Sequence, residues 1–228
     1  MTFPARPRKL QECRLHGLGS ELFVVEGDSA ASSVAQVRKP EFQALLPMQG
    51  KPLNPLKATT EKVRANEWYA ALVQALGAGF GADVSPGQLR YERVLLLMDP
   101  DPDGLHCGFL MQMFFYRWMR PLVEAGRLHH VWAPMAEVVV EGQSQPHHAY
   151  SEPHLQSLRA RLQAEGKTVH STVRHRGLAS LGAPLLAATC VAPATRTSAM
   201  VTCEDVRKII QTFHPESKPD PATQLNLL

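Results

Sequence analysis

Two short apolar segments of the sequence each run directly into an acidic residue. Leu22–Val25 is followed by Glu26, and Val94–Met98 is followed by Asp99. Uninterrupted apolar runs of this length are typical of strands that are buried on both faces, as in a parallel sheet covered by helices. Because ligands in such proteins bind beyond the carboxyl ends of the strands, the two acids are predicted to lie at a ligand-binding edge.

The segments around these strands indicate helices and further strands. Asn66 is a good helix N-cap, and Gly77 is a good stop ten residues after the first helical position. A second helix, apolar nearly all round, is predicted over Leu105–Arg120, and further strands are expected at Ala44–Leu46 and within residues 129–140. The order strand, helix, strand predicts an α/β fold with a parallel sheet flanked by helices.

Changes in composition divide the chain into four predicted regions. An extended N-terminal segment is expected over residues 1–19, followed by the α/β domain over residues 20–140. Residues 141–173 are predicted to be a linker that contains a short helix. Residues 174–228 are predicted to form a small C-terminal tail region, whose last residues are rich in proline.

Composition is ordinary for a water-soluble globular protein, with 228 residues, 44% hydrophobic residues and a net charge of +3. That charge is too mild to indicate a nucleic-acid partner, and it leaves room for a local basic groove. The four cysteines form no C-x-x-C pair, so free thiols are expected rather than a zinc site or disulfides. The N-terminus lacks the apolar core of a signal peptide, and no apolar run is long enough to cross a membrane, so a cytoplasmic location without a membrane partner is expected.

The second acidic site is the run Asp99, Asp101 and Asp103, in which prolines alternate with the acids and Gly104 follows. Carboxylates this close repel one another unless a cation lies among them, and hard oxygen ligands favour Mg²⁺, with Mn²⁺ as a substitute. The same residues are also a good turn sequence, and this alternative stays open. An EF-hand calcium loop is excluded because position twelve, counted from Asp99, is Leu110 in an apolar helix rather than a glutamate.

Several segments, in this order along the chain, give the sequence a resemblance to a known family. They are ELFVVEGDSA, LLPMQGKPLN, NEWYAALVQALGAGFG, LRYERVLLLMDPDPDGLH and FFYRWMRPLVEAGRLHHVWAP. Through these segments the chain resembles the TOPRIM half of the B subunits of bacterial type IIA topoisomerases, the family of DNA gyrase B and topoisomerase IV B. Arg174–Val206 is similar to a divergent copy of that family's final RYKGLGEM segment.

The resemblance implies a Rossmann-like TOPRIM sheet and an isomerase-type role in cutting and rejoining DNA. It implies DNA as a partner, together with an A-type subunit that carries the attacking tyrosine. No ATP site is expected, because no segment resembles the family's ATPase part. The implied catalytic residues are Glu26, Asp99 and Asp101, which with Asp103 are also the implied Mg²⁺ ligands. The implied DNA-binding residues are Lys51, Arg90 and His106.

The sequence also departs from the family pattern. Pro100 and Pro102 replace an alanine and a valine in the acidic motif, Gly108 replaces an arginine, and Ser180 replaces the glutamate of the final segment. These changes favour one alternative to catalysis with a partner subunit, and a second follows from the occurrence of TOPRIM domains in nucleases. One is a regulator that binds the A-type subunit or DNA without catalysis, and the other is a metal-dependent TOPRIM nuclease. The four tyrosines lie in settings unlike that of the family's nucleophile.

Overall fold

A computed structural model of the chain describes residue 7, residues 9–50 and residues 52–212. This part of the chain contains strands β1 (Gly17–Glu26), β2 (Gln43–Met48), β3 (Tyr91–Leu97), β4 (Leu128–Val131), β5 (Ala136–Val140), β6 (His147–Ala149), β7 (Val169–Arg174) and β8 (Ser198–Met200). It also contains helices α1 (Gly27–Val37), α2 (Thr60–Ala65), α3 (Glu67–Leu76), α4 (Pro102–Trp118), α5 (Arg120–Glu124), α6 (Glu152–Ala164), α7 (Ala183–Leu186) and α8 (Cys203–Thr212).

The central sheet has the strand order β2-β1-β3-β4-β8. Strands β2, β1, β3 and β4 are mutually parallel, and β8 adds an antiparallel edge beside β4. Helices cover both faces, so the predicted α/β class with a mostly parallel sheet is confirmed. Among the helices of the described ranges, none combines the length and the hydropathy that a membrane span requires.

The two faces of the sheet explain why its inner strands are apolar without alternation. In β1, Leu22 and Val24 pack into one core with α3, α4 and α8, whereas Phe23 and Val25 pack into a second core with α1 and α7. Successive side chains of a strand point to opposite faces, so a strand with a core on each side must be apolar at every position. This burial is consistent with the place of β1 between β2 and β3 in the interior of the sheet.

Helix α3 follows the predicted signals. The side-chain oxygen of Asn66 accepts hydrogen bonds from the backbone N–H groups of Trp68 and Tyr69, both at 3.1 Å. Gly77 ends the helix in the left-handed region, with φ of 66°. The Tyr69 ring stacks on Phe114 of α4 with centroids 4.2 Å apart, which joins the two helices on the same face of the sheet.

Three elements differ from the prediction. Helix α4 begins at Pro102 rather than Leu105, because Asp101 caps it, and it ends at Trp118. A short helix, α5, then follows, with Pro121 in its first turn, where a missing backbone N–H costs nothing. Helix α1 is not predicted by the sequence pattern, because it consists mainly of small and polar residues and its buried face is only Ala30, Ala31 and Val34.

Residues 129–140, expected to supply one strand, belong to two strands in different sheets. Strand β4 ends at Val131, and β5 begins a separate antiparallel sheet with the order β6-β5-β7, which α6 covers with a small core of its own. Strand β6 lies in the stretch predicted to be a linker, and so does most of β7. The predicted domain boundaries at residues 19, 140 and 173 remain a prediction.

Candidate functional site

Glu26 lies at the carboxyl end of β1, where the chain passes directly into α1. Gly27 has φ of 76°, a conformation that favours glycine, and it allows the strand to turn straight into the helix. Strands β1 and β3 are adjacent and parallel, with Val25 opposite Leu97. Glu26 and Asp99 therefore follow neighbouring strands at the same edge of the sheet.

The loop from Asp99 to Gly104 folds tightly onto the start of α4. The Asp101 carboxylate accepts a hydrogen bond of 2.7 Å from the backbone N–H of Gly104 and so caps the helix. A Cβ atom at Gly104 would lie 2.3 Å from the backbone oxygen of Asp99, so only glycine fits there. Asp103 lies exposed in the first turn of α4. The run is thus both a capping turn and a cluster of acids.

The acids at this edge influence one another's protonation. Burial raises the pKa of Glu26 above its ordinary value, and the nearby charge of Asp99 raises it further, with smaller contributions from Asp101 and Asp103. Burial also raises the pKa of Asp99, although a hydrogen bond from the backbone N–H of Leu178 opposes this shift. Burial is the largest cause of both shifts, and repulsion from the neighbouring carboxylates adds to it.

The two oxygens of Glu26 differ in their surroundings. Oε1 accepts a weak hydrogen bond from the Cys107 thiol, with Sγ 3.6 Å away. Oε2 is buried, and it has no hydrogen-bond partner among the described residues. A buried carboxylate oxygen without a partner is costly, so it is suited to receive a cation.

The acidic side chains at this edge are of the right chemical type to bind a divalent metal ion, but they are not arranged as a complete metal site. Four carboxylates meet at one edge, and hard oxygen donors are those that Mg²⁺ prefers. Within the part of the chain that the structure describes, however, no three His, Cys, Asp or Glu side chains are arranged to hold a metal ion. Asp99 and Asp101 instead accept hydrogen bonds from the backbone N–H groups of Leu178 and Gly104.

The C-terminal segment contributes a contact that the sequence did not reveal. The backbone N–H of Leu178 donates a 2.8 Å hydrogen bond to Oδ1 of Asp99. A Cβ atom on Gly177 would lie 3.3 Å from Oδ2 of the same carboxylate. The only sequence signal for this contact is the Arg-Gly-Leu of the segment that resembles RYKGLGEM. The Cys107 contact with Glu26 had no signal beyond its place one turn after Asp103.

The three predicted DNA-binding residues do not gather at this edge. Lys51 lies outside the described residues. Arg90 precedes β3, at the opposite end of the strand from Asp99, and its guanidinium pairs with Glu12 at 2.7 Å. His106 lies half-buried on α4, two residues beyond Gly104. Their roles remain predictions.

All four tyrosine hydroxyls have hydrogen-bond partners. Tyr69 donates to the carbonyl of Leu53, and Tyr91 donates to Glu12, each at 2.9 Å. Burial raises the pKa of both phenols, which makes them poor nucleophiles. The Tyr116 hydroxyl accepts a hydrogen bond from the Arg207 guanidinium, and the Tyr150 hydroxyl is hydrogen-bonded to the Thr197 hydroxyl. That the attacking tyrosine belongs to another protein remains a prediction.

Comparison with known proteins yields both a domain match and long similarities. Residues 21–132 match the Toprim domain family. The chain is 36% identical over 219 residues to the DNA gyrase B protein of Thermotoga maritima, covering 96% of the chain and 34% of that protein. It is 37% identical over 192 residues to the DNA topoisomerase 4 B protein of Streptococcus pneumoniae, covering 83% of the chain and 29% of that protein. The chain thus spans about a third of the length of these curated relatives.

Proposed function

Since the chain contains a Toprim domain and is similar over most of its length to part of the gyrase B and topoisomerase IV B proteins, we propose that it is the Toprim component of a type IIA-like DNA topoisomerase system. In that role it would take part in cutting and rejoining DNA in the cytoplasm. The observation that carries the proposal is the meeting of Glu26 with the acids that follow β3, at the edge where α/β proteins bind ligands.

The acids would hold the metal ion. Glu26, Asp99 and Asp101 are the proposed ligands, with Asp103 beside them, and Mn²⁺ would substitute for Mg²⁺. When bound, Mg²⁺ stabilises the negative charge that develops on the oxygens of a phosphodiester during displacement. Glu26 has a raised pKa, which suits it to hold and release a proton during rejoining.

Metal binding would rearrange part of the acidic loop. Asp99 is held in place by the backbone N–H of Leu178, and this bond leaves carboxylate lone pairs available. Asp101 would turn from its capping position or use its second oxygen, because Oδ1 accepts the N–H of Gly104. The buried Oε2 of Glu26 would gain the partner that it lacks among the described residues.

The proposed partners are DNA and an A-type subunit that supplies the nucleophilic tyrosine. Support comes from the four tyrosines of this chain, whose hydroxyls are all hydrogen-bonded. Lys51 and His106 are proposed to contact the DNA backbone near the cut. Arg90 would contact a phosphate farther away, since a seven-residue strand separates it from the acids.

The test is a supercoiled-plasmid cleavage assay with Mg²⁺ or Mn²⁺, run with and without the A-type subunit of the same organism. Detergent stops the reaction, and half of each sample is treated with protease. We expect cleaved DNA that is covalently joined to protein, only when both proteins are present, and none with Asp99→Asn. Intact DNA under all conditions would contradict the proposal, and cleavage by this chain alone without a covalent link would indicate a nuclease instead.

One observation favours a second candidate function, a regulator that binds the A-type subunit or DNA without catalysis. Asp99 and Asp101 both accept backbone hydrogen bonds, so the loop is stable with its acids directed at the protein itself. A regulator would form a stable complex with the A-type subunit, and that complex would be unaffected by Asp99→Asn and would leave the plasmid intact.

A further inference from the structure

Residue 177 is a glycine, although its backbone conformation does not require one. Gly177 has φ of −153° and ψ of 161°, an extended conformation that any residue adopts. Space is what limits this position, because a Cβ atom there would lie 3.3 Å from Oδ2 and 3.5 Å from Oδ1 of Asp99. The missing side chain thus makes room for the carboxylate of a proposed metal ligand that is remote in the sequence.

The Asp99 carboxylate is held through one of its two oxygens. Oδ1 accepts the 2.8 Å hydrogen bond from the backbone N–H of Leu178. Oδ2 accepts no hydrogen bond from the residues that the structure describes. A bond to one oxygen restricts the rotation of the carboxylate, and it leaves the lone pairs of the second oxygen available to another partner.

The segment that supplies this N–H is anchored on both sides. Before it, the backbone N–H of His175 donates a 2.7 Å hydrogen bond to the carbonyl of Met135. After it, the carbonyl of Gly177 accepts hydrogen bonds from the backbone N–H and the hydroxyl of Ser180, at 2.9 Å and 2.6 Å. The side chain of Leu178 is buried in the core that includes α1. The N–H that holds Asp99 is therefore fixed in direction before any ligand binds.

We propose that Gly177 and the backbone N–H of Leu178 are positioning groups for Asp99, which hold its carboxylate by Oδ1 and leave Oδ2 for the metal ion. A side chain at position 177 would displace the carboxylate, because a contact of 3.3 Å is closer than a carbon and an oxygen normally approach. Groups that orient a metal ligand from outside typically change metal affinity by about 10–100-fold. The metal-binding part of this inference rests on the proposed function, whereas the fixing of the carboxylate does not.

The test is a Mn²⁺ titration of the full chain, followed by electron paramagnetic resonance, in the native protein and in two variants of residue 177. Gly177→Ala is expected to weaken Mn²⁺ binding by about tenfold, and Gly177→Val by more, because the larger side chain displaces Asp99 further. Both residues fit an extended backbone, so neither variant strains the chain itself. Circular dichroism shows that each variant is folded.

Leu181→Ala is the matched control for a general loss of stability. Leu181 is buried in the same core and belongs to the same short turn, Leu178–Leu181. This variant should unfold at a lower urea concentration than Gly177→Ala, and it should bind Mn²⁺ as the native chain does. Equal weakening of Mn²⁺ binding in Leu181→Ala, or native affinity in both variants of Gly177, would overturn the proposal.

A second measurement, made without metal, separates this proposal from the proposed function. Amide hydrogen exchange, observed by nuclear magnetic resonance, reports whether the N–H of Leu178 is bonded to Asp99. The amide should exchange slowly in the native chain and faster in Gly177→Val, or in Gly177→Ala if the valine variant does not fold. A native chain that binds no Mn²⁺ would refute the metal-dependent function, and the positioning of Asp99 would then be decided by this amide alone. Equal exchange rates in the native chain and the variant would overturn it.

Discussion

At the scale of single residues, Gly104 determines the shape of the acidic loop. Its backbone lies so close to Asp99 that a Cβ atom would be 2.3 Å from the Asp99 oxygen. Gly104→Ala is therefore expected to lower the free energy of unfolding by about 1–3 kcal/mol and to displace Asp99. Urea unfolding measures the first effect. Gly87→Ala is the control, since its Cβ would meet only the Ser85 hydroxyl, at 3.9 Å, and an equal loss there would contradict the explanation.

Because His130 is buried, we expect the stability of the fold to depend on pH. Burial lowers its pKa to about 4, and its Nδ1 has no hydrogen-bond partner among the described residues. The unfolded chain binds a proton at the ordinary pKa of about 6.5. The free energy of unfolding therefore has its full value above about pH 6.5. It falls by up to about 1.4 kcal/mol per pH unit as the pH drops toward the pKa of about 4 that His130 has in the folded protein.

The measurement for His130 is urea unfolding between pH 7 and pH 4.5, in the native chain and in His130→Gln. The raised pKa values of Glu26 and Asp99 act in the opposite direction, so the difference between the two proteins is the informative quantity. The variant should lose less stability on acidification. Parallel pH profiles for the two proteins would show that His130 does not titrate as its burial implies.

At the scale of elements, Asp101 has two separable roles. It caps α4 through Gly104, and it is a proposed metal ligand. Asp101→Asn retains an oxygen that can cap the helix, whereas Asp101→Ala does not, so the alanine variant alone should lose about 1 kcal/mol of stability without metal. Both variants should lose metal-dependent DNA cleavage. An asparagine variant as unstable as the alanine variant would show that the cap depends on charge rather than on hydrogen bonding.

The elements that could be predicted are those whose ends carry chemical signals. Helix α3 has Asn66 at one end and Gly77 at the other, and both act as predicted. Helix α1 was missed because Glu26 makes no side-chain cap bond and the residues that pack on the sheet are mainly alanine. The division between β4 and β5 was missed because the four residues that join them, 132–135, are all apolar, and only the sheet pairing separates the two strands.

At the scale of the whole molecule, the C-terminal segment spans the central sheet from one end to the other. Leu178 reaches Asp99 at the carboxyl edge, and Arg196 reaches Glu21 near the start of the buried part of β1. The Arg196–Glu21 pair is almost completely buried, with side-chain exposures of 3% and 4%. Gln43 donates a further hydrogen bond to the same glutamate.

Removing one partner of this ion pair should destabilise the whole fold. Arg196→Met leaves the buried Glu21 carboxylate with only Arg93, 3.9 Å away, and the Gln43 amide as partners. The loss is expected to be up to about 3–5 kcal/mol, and adding Glu21→Leu should recover much of it. Thermal unfolding measures both variants. Arg207→Met is the control on the exposed side of α8 and should change little. If Arg196→Met is as stable as Arg207→Met, the stability of the fold does not depend on the Arg196–Glu21 ion pair.

Part of the site could be predicted because the topology of the whole sheet brings its residues together. Glu26 and the aspartates are recognisable because each follows an apolar strand, and parallel strands bring their carboxyl ends to one edge. Leu178 lies 79 residues from Asp99, and it acts through a backbone N–H that no side-chain pattern reports. Cys107 was hidden because a buried thiol looks like an ordinary core residue.

The central claim is that these acids bind a divalent metal ion, and the most direct test is a Mn²⁺ titration followed by electron paramagnetic resonance. The native chain should bind Mn²⁺ in competition with Mg²⁺, and Glu26→Gln and Asp99→Asn should each weaken binding by at least about tenfold. Glu165→Gln, which changes an exposed acid at the end of α6, should bind as the native chain does. Native chain that binds no more Mn²⁺ than Glu26→Gln would contradict the claim.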